Sequence, residues 1–598
     1  MKTRAPPDRR STVKQCVGAC SASFQVTDAD RAFYDKVSPV IGGKKINIPE
    51  PSLCPECRQQ RRMVWRNERK LYRAKSALSG NPMLSMYYPD SDVRVFEQKE
   101  WWSDQWNGLD YGQSFDFSRP FFEQFLELKK RVPHINLCND SESINCDYVN
   151  QTTHLKNCYL VYDTDFCEQT YYTHVGKRSF RCMDGYRIFD CKNCYECVDC
   201  KNSYQLNFSQ DCEDCSESFF LKDCKGVRNS FGCINLRQKQ YCFLNEQLTK
   251  EDYEKRLNDL QLQTFSGRKN AAAIVEDFFR EFPRKADHNI QVEHCTGDYL
   301  THCKDSFDCF DAENLQDCRY VTNNSEGSKD CMDYDVWGVH AELLYECCTV
   351  GEDAFNVLFS MFCWGNVRDL MYCDYCMHSR NLFGCVGLKR NQYCILNKQY
   401  TKDEYEALVP RIIDHMHKMG EWGEFFPANI PPFSYQETLA QDFYPLKKEQ
   451  AQSKGFRWHD IEAPLLKVDR IIPAEKLPET IDQIPDDILN WAIECVLTKK
   501  PFKIIPQELA FYREFQIPIP RLHPDERHRQ RMALRNPRKL WERNCDKCGR
   551  DILTSYSLDR PAIGSEESDI FDHSKSVQIA QARREKVYCE ECYLKEVY

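Results

Sequence analysis

The sequence has no run of about 18 apolar residues, the length that a helix needs to cross a bilayer, so we expect no membrane span. The start of the chain is charged and no apolar segment follows it, which argues against a secretory signal. A glycine-rich phosphate loop, an HExxH motif and a nucleophile elbow are also missing. Because the acidic residues follow no catalytic pattern either, we expect a non-catalytic protein.

Positive charge is not in excess, because the formal net charge is −10. No global positive field therefore attracts the chain to nucleic acid, and any such binding must use local patches. With 598 residues the chain is too long for one ordinary core, so several domains are expected. Cysteine is abundant, at 35 residues with recurrent CxxC spacing. Without a secretory signal, this usage fits reduced thiols and a cytoplasmic location better than disulfides.

A cysteine knuckle followed by a basic segment occurs near both ends of the chain. Its first copy begins at Cys54-Pro-Glu-Cys57 and its second at His523-Pro-Asp-Glu526. The two copies align without a gap at an offset of 469 positions, and the alignment continues through Ser76 with Cys545. A duplicated module therefore brackets the protein.

Two close cysteine pairs separated by a hairpin-sized insert are typical of a zinc ribbon. Four thiolates complete a tetrahedron around Zn²⁺, and the bound metal supplies folding free energy that a short segment lacks. The sequence predicts two such sites, hence about two Zn²⁺ ions per chain, although reduced structural thiols remain an alternative. The predicted ligands are Cys16, Cys20, Cys54 and Cys57 near the start of the chain, and Cys545, Cys548, Cys589 and Cys592 near its end.

Each end also carries a second ribbon that has lost ligands. In the N-terminal module, Ser76, Ser79, Glu97 and Glu100 stand where the C-terminal module has cysteines. Since hydroxyls are poor zinc ligands, we expect this ribbon to be metal-free and to depend on apolar packing.

In the C-terminal module the first ribbon is the degenerate one. Cys495, His523 and Glu526 can form a three-ligand site with an open position. The alternative is a ribbon held by packing alone. We favour that alternative, because one thiolate, one imidazole and one carboxylate bind metal less firmly than four thiolates.

Two related arrays fill the middle of the chain, over residues 138–265 and 290–415, and their ends align at an offset of 152. Inside each array, short units of Asn or Asp followed by Cys or an aromatic residue recur about every 12 residues. A fixed short period of this kind predicts a β-solenoid whose cysteines and aromatic residues point inward. Whether 12 residues make a full coil or half of one stays open. A capping helix is predicted after each array, beginning at Thr249 and Thr401.

Four array cysteines stand at three-residue steps from Cys191 to Cys200. They allow three interpretations: an iron–sulfur cluster with a redox role, additional zinc, or plain core cysteines. We favour core cysteines, because a free cysteine is a compact hydrophobic residue and the solenoid period explains most of the spacing.

Arginines follow each copy of the knuckle at steps of three and four residues, which predicts one helix face. Guanidinium groups on a rigid module can grip phosphates, so we predict binding of nucleic acid, RNA more than DNA, such as structured RNA or the ribosome. The alternative is a structural scaffold that binds protein partners and pairs its arginines internally. The residues are Arg58, Arg62, Arg66 and Arg69 in the first copy, and Arg527, Arg531, Arg535 and Arg538 in the second.

The predicted fold is mainly β with short helices, in which zinc-ribbon pairs at both ends flank two cysteine-rich, solenoid-like arrays. A helix is also expected over 484–497. The predicted segments are a tail (1–15), the N-terminal ribbon pair (16–110), a linker helix (111–137), the first array with its capping helix (138–265), a helical linker (266–289), the second array with its capping helix (290–415), an extended connector (416–483) and the C-terminal ribbon pair (484–598).

Three sets of motifs occur together in this chain: Cys54-Pro-Glu-Cys57 with Arg66-Asn67, the Phe-Gly-Cys and Gln-Tyr-Cys motifs at the array ends, and Tyr588-Cys-Glu-Glu-Cys592. In combination they resemble a family of large, uncharacterised zinc-ribbon proteins of small, reduced bacterial lineages. The resemblance spans nearly the whole chain and implies zinc, but no activity. His523, Glu526 and Ser76 depart from the family pattern, which often has cysteine there.

Overall fold

A computed structural model describes residues 11–324, 327–336, 338–460, 468–557 and 585–597. Most of the predicted tail, 1–15, lies outside these residues. The described chain contains 27% strand and 24% helix, so strands with shorter helices form the fold as expected. Within these ranges, no helix combines the length and apolar character that a membrane crossing requires.

The N-terminal module consists of small hairpins and short helices. Thr27 caps the first helix with a capping box, and Pro55 occupies the first turn of the second, as sequence signals at helix starts require. Its elements are the paired strands Thr12–Gln15 with Ser23–Val26, Val40–Ile41 with Lys44–Lys45, and Tyr72–Lys75 with Pro82–Ser85, the strand Val95–Phe96, and the helices Asp28–Val37, Pro55–Met63 and Gln98–Trp102.

The linker that follows contains a 3-10 helix, Gly108–Tyr111, the α-helix Phe121–Arg131 and the strand His134–Ile135. Phe121, Phe125 and Leu128 are fully buried on one face of the α-helix, a spacing typical of an amphipathic helix. The strand pairs with Val95–Phe96 in parallel, so the linker returns to the N-terminal module.

The first array is a parallel ladder in which paired residues are 12 positions apart. Tyr162, for example, lies opposite both Asn150 and His174. Between the strands the same pairing continues at every third position, as in Ile144 with Lys156 and Asp147 with Tyr159. Its strands are Asn150–Thr153, Tyr162–Asp165, His174–Lys177, Tyr186–Phe189, Val198–Lys201, Tyr204–Asn207 and Ser216–Phe219, closed by the hairpin Cys242–Phe243 with Glu246–Gln247.

Every third residue of the ladder adopts a left-handed backbone conformation. Asn157, Leu160, Asp163 and Phe166 follow one another at φ values of 53°, 53°, 50° and 54°. Asn and Asp tolerate this region better than other non-glycine residues, which explains why they recur in the repeat. The repeat of 12 therefore consists of four units of three residues, each ending in a change of direction.

The second array follows the same rule but has 13-residue steps in its middle. Ser328 pairs with Ala341, whereas Arg368 pairs with Arg380 at the usual step of 12. Its strands are Gly297–Thr301, Cys309–Glu313, Leu315–Gln316, Ser328–Met332, Ala341–Tyr345, Phe355–Leu358, Arg368–Met371, Arg380–Phe383, Gln392–Ile395 and Lys398–Gln399.

Helices follow both arrays where capping helices were predicted. The side chains of Thr249 and Thr401 each accept a hydrogen bond from the backbone N–H three residues later. They cap the helices Lys250–Asp259 and Lys402–Met419. The helical linker forms the helix Phe265–Phe279 and the strand Arg284–Lys285. In the connector, the 3-10 helices are Tyr435–Glu437, Ala474–Lys476 and Ile481–Gln483, and the α-helices are Leu439–Phe443 and Lys448–Ser453.

The C-terminal module repeats the N-terminal one at the offset of 469. The helix Pro524–Ala533 and the hairpin Trp541–Asn544 with Asp551–Thr554 match the helix Pro55–Met63 and its following hairpin. Preceding them are a sheet of Arg470–Pro473, Trp491–Glu494 and Pro501–Phe502 and the helix Pro506–Glu514, and the module ends with the strand Val587–Tyr588 and the helix Glu590–Val597.

The helix predicted over 484–497 is wrong. That segment holds a 3-10 helix, Asp486–Asn490, and the strand Trp491–Glu494. The strand lies in the middle of its sheet, so neighbouring strands on both sides pair with its backbone groups.

The two modules pack on opposite arrays. One apolar core joins the N-terminal module and the linker helix to the second array, with Tyr34 against Tyr345 and Phe121 against Phe383. Another joins the first array to the C-terminal module, with Tyr195 against Tyr512. The chain therefore crosses over, and each array is covered by the module more distant from it in sequence.

Candidate metal centres and the buried arginine clusters

The four N-terminal cysteines come together at one point. Cys16 follows the strand Thr12–Gln15, and Cys54 is the residue that begins the helix Pro55–Met63. All four Sγ atoms lie within 4.8 Å of one another, with Cys20 at 3.6 Å from Cys54 and 3.3 Å from Cys57. A tetrahedron with Zn–S bonds of about 2.3 Å has S–S edges of about 3.8 Å. The donor set and its size therefore fit a tetrahedral thiolate metal site.

The C-terminal cysteines form a second group of the same construction. Cys545, Cys548, Cys589 and Cys592 also lie within 4.8 Å of one another, and the Sγ atoms of Cys548 and Cys589 are 3.8 Å apart. In both sites a backbone N–H of the second knuckle donates to the first sulfur at 3.3 Å, from Cys54 to Cys16 and from Cys589 to Cys545. Such donors stabilise a thiolate. Both predicted four-cysteine sites are confirmed as groups that can hold a metal ion.

Contacts inside each group favour ionisation of one thiol. A hydrogen bond from the Cys57 thiol is the largest cause that lowers the pKa of Cys54, to about 5. Burial raises the pKa of Cys545, but backbone hydrogen bonds around Cys589 and Cys548 outweigh it and bring that pKa to about 6. Each site thus offers one thiolate near neutral pH, and a bound metal would displace the remaining protons.

The degenerate N-terminal ribbon replaces its metal with hydrogen bonds. Ser76 Oγ donates to the carboxylate of Glu100, and the Glu97 N–H donates to the same group at 3.3 Å. Ser79 also contributes a hydrogen bond, which helps lower the pKa of Glu100 against the opposing effect of burial. Beside this cluster Phe96 and Trp101 are buried, so packing and Ser–Glu contacts hold the ribbon.

The three candidate ligands of the other degenerate ribbon do not meet. Cys495 is fully buried in an apolar cluster, and His523 accepts a hydrogen bond from the Asp525 N–H at the start of its helix. Glu526 is paired with Arg529 at 2.6 Å. Among the residues that the structure describes, these three do not form a compact donor group, and the packing interpretation fits better.

The array cysteines are buried along the inside of the ladders. The sulfurs of Cys191, Cys194, Cys197 and Cys200 each lie 3.4–3.6 Å from two backbone carbonyls that can accept the thiol hydrogen, one two residues earlier and one nine residues later. They are not among the compact groups of potential ligands found in the described ranges. These four lie in one apolar cluster, and cysteines of the second array lie in another, which supports the core interpretation over an iron–sulfur cluster or extra zinc.

The helix that was to carry the first arginine face is shorter than predicted. It ends at Met63, so Arg66 and Arg69 lie in an irregular segment, and Arg535 and Arg538 likewise follow the end of the helix Pro524–Ala533. The Asn67 side chain diverts the chain, because it accepts from the Lys70 N–H and donates to the carbonyl of Met86. The prediction of one continuous arginine face is therefore wrong.

The arginines of the N-terminal helix point into the second array. Arg58 Nε lies 2.6 Å from Asp333, and Arg62 Nε lies 2.5 Å from Asp335. Both guanidinium groups are at most 2% exposed. Arg61 pairs with Glu346 at 2.9 Å. We call this set the N-terminal arginine cluster.

The C-terminal arginine cluster mirrors it on the first array. Arg527 Nη1 lies 2.6 Å from Asp184, and Arg531 Nη1 lies 2.9 Å from Asp184 and 3.0 Å from Glu196. Further along, Arg535 contacts Asp199 at 2.7 Å, and both Arg535 and Arg538 contact Asp311 of the second array, at 2.5 and 2.9 Å. In the N-terminal module, Arg66 pairs with Glu68, and Arg69 pairs with Asp525 of the C-terminal module.

Burial makes these charges costly to separate. Burial alone would raise the pKa of Asp311, but the guanidinium groups of Arg535, Arg187 and Arg538 hold it well below its usual range. A buried arginine that loses its partner keeps an uncompensated charge away from water. The predicted phosphate-binding arginines are thus oriented inward, and in this arrangement their guanidinium groups contact carboxylates.

Sequence reasoning missed the acids that receive the arginines and two further donor groups. The groups are Glu68 with Asp163 and His174, and Asp211 with Asp223 and His288. The signal was present in the repeats, since Asp211 and Asp223 precede cysteines at the 12-residue spacing. Only the fold shows which histidine reaches them.

Comparison with known proteins does not assign the chain to a family. No protein-family model matches the sequence, and no curated protein matches it significantly.

Proposed function

We propose that this chain is a non-catalytic, zinc-stabilised scaffold that binds protein partners in the cytoplasm. The observation that carries the proposal is the reciprocal arginine pairing: each terminal module inserts its arginines into the carboxylates of the opposite array. These arginines therefore hold the terminal modules on the arrays.

Zinc is the metal we propose for both four-cysteine groups. Four thiolates at tetrahedral spacing suit Zn²⁺, and two sites give about two ions per chain. Bound metal would fix the knuckle that precedes each arginine helix, because Cys54 begins the helix Pro55–Met63 directly. Metal binding would thereby also hold Arg58 and Arg62 in register with their carboxylates.

For the arrays we propose a β-solenoid with 12 or 13 residues per coil. Parallel pairing of each residue with the residue one repeat later supports this, as do inward cysteines in continuous clusters. A solenoid offers long exposed flanks, which are common protein-binding surfaces in repeat proteins.

Nucleic-acid binding through the arginines is the competing proposal, and their burial weighs against it. It requires Arg62 or Arg531, which are at most 3% exposed on their side chains, to leave carboxylate partners before they can reach a phosphate. Phosphate binding by several arginines would show a steep salt dependence.

The test is an anisotropy titration of the full chain with a structured RNA at about 50 and 200 mM salt, spanning the range where phosphate contacts lose affinity. We expect no saturable RNA binding by either wild type or Arg531→Gln, although Arg531→Gln should be less stable. The matched control is Arg550→Gln, whose side chain is 63% exposed. Saturable, salt-sensitive binding that Arg531→Gln weakens and Arg550→Gln leaves intact would overturn the scaffold proposal in favour of RNA binding.

A further inference from the structure

Two aspartates of the first array are stacked with like charge. Asp211 and Asp223 occupy the same position of consecutive repeats, since the neighbouring residues Gln210 and Lys222 are paired in the ladder. Elsewhere in the array, stacked positions hold opposite charges, as in Arg178 with Asp190, or acids that face an arginine, as in Asp184 and Glu196, which both contact Arg531. Like charges directly opposite one another destabilise a sheet, so this pair needs a cation.

His288 faces the two carboxylates from the linker between the arrays. Its Nε2 lies 3.9 Å from Asp211 Oδ2 and 4.0 Å from Asp223 Oδ1. Both distances are too long for a hydrogen bond. They fall within about 4.2 Å, the largest separation of two ligands each about 2.1 Å from one ion. The three donor atoms lie within 4.8 Å of one another.

The imidazole is held in a fixed orientation from its other side. Nδ1 lies 3.0 Å from Asp298 Oδ1, and the ring stacks on Tyr299 at 4.3 Å between centroids. The second oxygen of Asp298 accepts a hydrogen bond from Ser555. A carboxylate on the outer ring nitrogen is the usual support of a metal-bound histidine, because it fixes which nitrogen faces the metal.

One buried oxygen accepts no hydrogen bond from the residues that the structure describes. The Asp211 side chain is 6% exposed, and its Oδ1 accepts from the Tyr299 hydroxyl at 2.8 Å, whereas no described residue donates to its Oδ2. This is the oxygen that faces His288. A buried carboxylate oxygen without a partner is costly, and a bound cation would remove that cost.

We propose that Asp211, Asp223 and His288 bind one divalent transition-metal ion of the kind that accepts mixed nitrogen and oxygen ligands, such as Zn²⁺ or Mn²⁺. This third metal site is separate from both four-cysteine groups. It would join the first array to the inter-array linker and, through Asp298 and Ser555, to the second array and the C-terminal module.

Nearby cations do not block the site. Lys222 Nζ donates to Gln210 at 3.1 Å, and Arg284 faces Glu585 at 3.7 Å. A proton is the competing occupant, because the surrounding carboxylates, led by Asp298 against the effect of burial, raise the pKa of His288 to about 10.

The experiment equilibrates the zinc-loaded full chain with Mn²⁺, dialyses it and counts zinc plus manganese per chain by plasma mass spectrometry. Manganese favours oxygen and nitrogen ligands over thiolates, so it reports on this site. We expect His288→Gln and Asp223→Asn each to bind one ion fewer than wild type. Asp223 has a φ of 51°, which asparagine tolerates, so the backbone is preserved.

The matched control is Asp214→Asn, an exposed aspartate of the same array with a φ of 54°. It should bind as many ions as wild type. Unchanged circular dichroism and unchanged zinc in the four-cysteine groups identify variants that have folded. Equal metal counts in wild type, Asp223→Asn and His288→Gln would overturn the proposal, as would the loss of an ion in Asp214→Asn.

Discussion

Replacing Asp184 by asparagine should release the C-terminal module from the first array. Asp184 is fully buried and lies within 2.9 Å of both Arg527 and Arg531. Its φ is 56°, a conformation that asparagine adopts as readily as aspartate, so the change removes charge and little else. Among the carboxylates of the described chain, Glu196 at 3.0 Å from Arg531 and Glu508 at 3.6 Å from Arg527 would then remain beside the two buried guanidinium groups.

The expected magnitude follows from the cost of breaking a buried ion pair by removing one partner, about 3–5 kcal/mol. Asp190→Asn is the matched control, because Asp190 also has a positive φ, 53°, and pairs with Arg178 at the surface. Its side chain is 37% exposed and that of Arg178 is 53% exposed, so its loss should cost about 0.2–1 kcal/mol.

Hydrogen exchange of the helix Pro524–Ala533 measures this cost locally, which avoids treating a large chain as two-state. Because about 1.4 kcal/mol corresponds to a tenfold change in the exchange rate, Asp184→Asn should speed exchange by two to more than three orders of magnitude. Asp190→Asn should change it less than about sixfold. If the two variants exchange alike, the arginines are not held by buried carboxylates and the interpretation of the interface fails.

Two further predictions concern the metal sites and acid stability. Cys54→Ser should lower the zinc content by one ion per chain. Cys191→Ser should leave the zinc content unchanged, because Cys191 is an array cysteine stacked between Ser179 and Ser203 of the adjacent repeats. Elemental analysis of both variants measures the zinc content. Since the folded-state pKa of Asp311 is depressed, its stabilisation is present above the unfolded value of about 3.9 and is lost as pH falls, at up to about 1.4 kcal/mol per pH unit. Urea midpoints between pH 5 and 2 should therefore fall less steeply in Asp311→Asn than in wild type, and parallel curves would contradict the assignment.

Local spacing was enough to predict the four-cysteine groups and the helix starts. A CxxC knuckle and a capping box are each complete within a few residues, so the chain itself brings their atoms together. The direction of the arginines could not be read in this way. Arg58 meets Asp333, 275 residues away, and nothing within the module distinguishes an inward face from a phosphate-binding one.

The 12-residue period of the arrays was readable, but its geometry was not. Left-handed residues at every third position set the direction changes, and most of them are not glycine. A sequence pattern that relies on Asn, Asp, Tyr and Phe in that conformation has no single signature residue. Three-residue units therefore emerge only when backbone angles are known.

The internal duplication shows which contacts the two halves share. Counting back along the ladders from the aligned array ends, three steps place Tyr195-Glu196 opposite Tyr345-Glu346, and four steps place Met183-Asp184 opposite Met332-Asp333. Both acids of each pair receive arginines from a terminal module. By contrast, each module keeps one four-cysteine group and has lost the other, in opposite order. Serine and glutamate can replace a metal within a ribbon, but the buried arginine contacts are present in both halves. The ion pairs across the module–array interface are thus the shared structural requirement of the fold, and the metal sites support them.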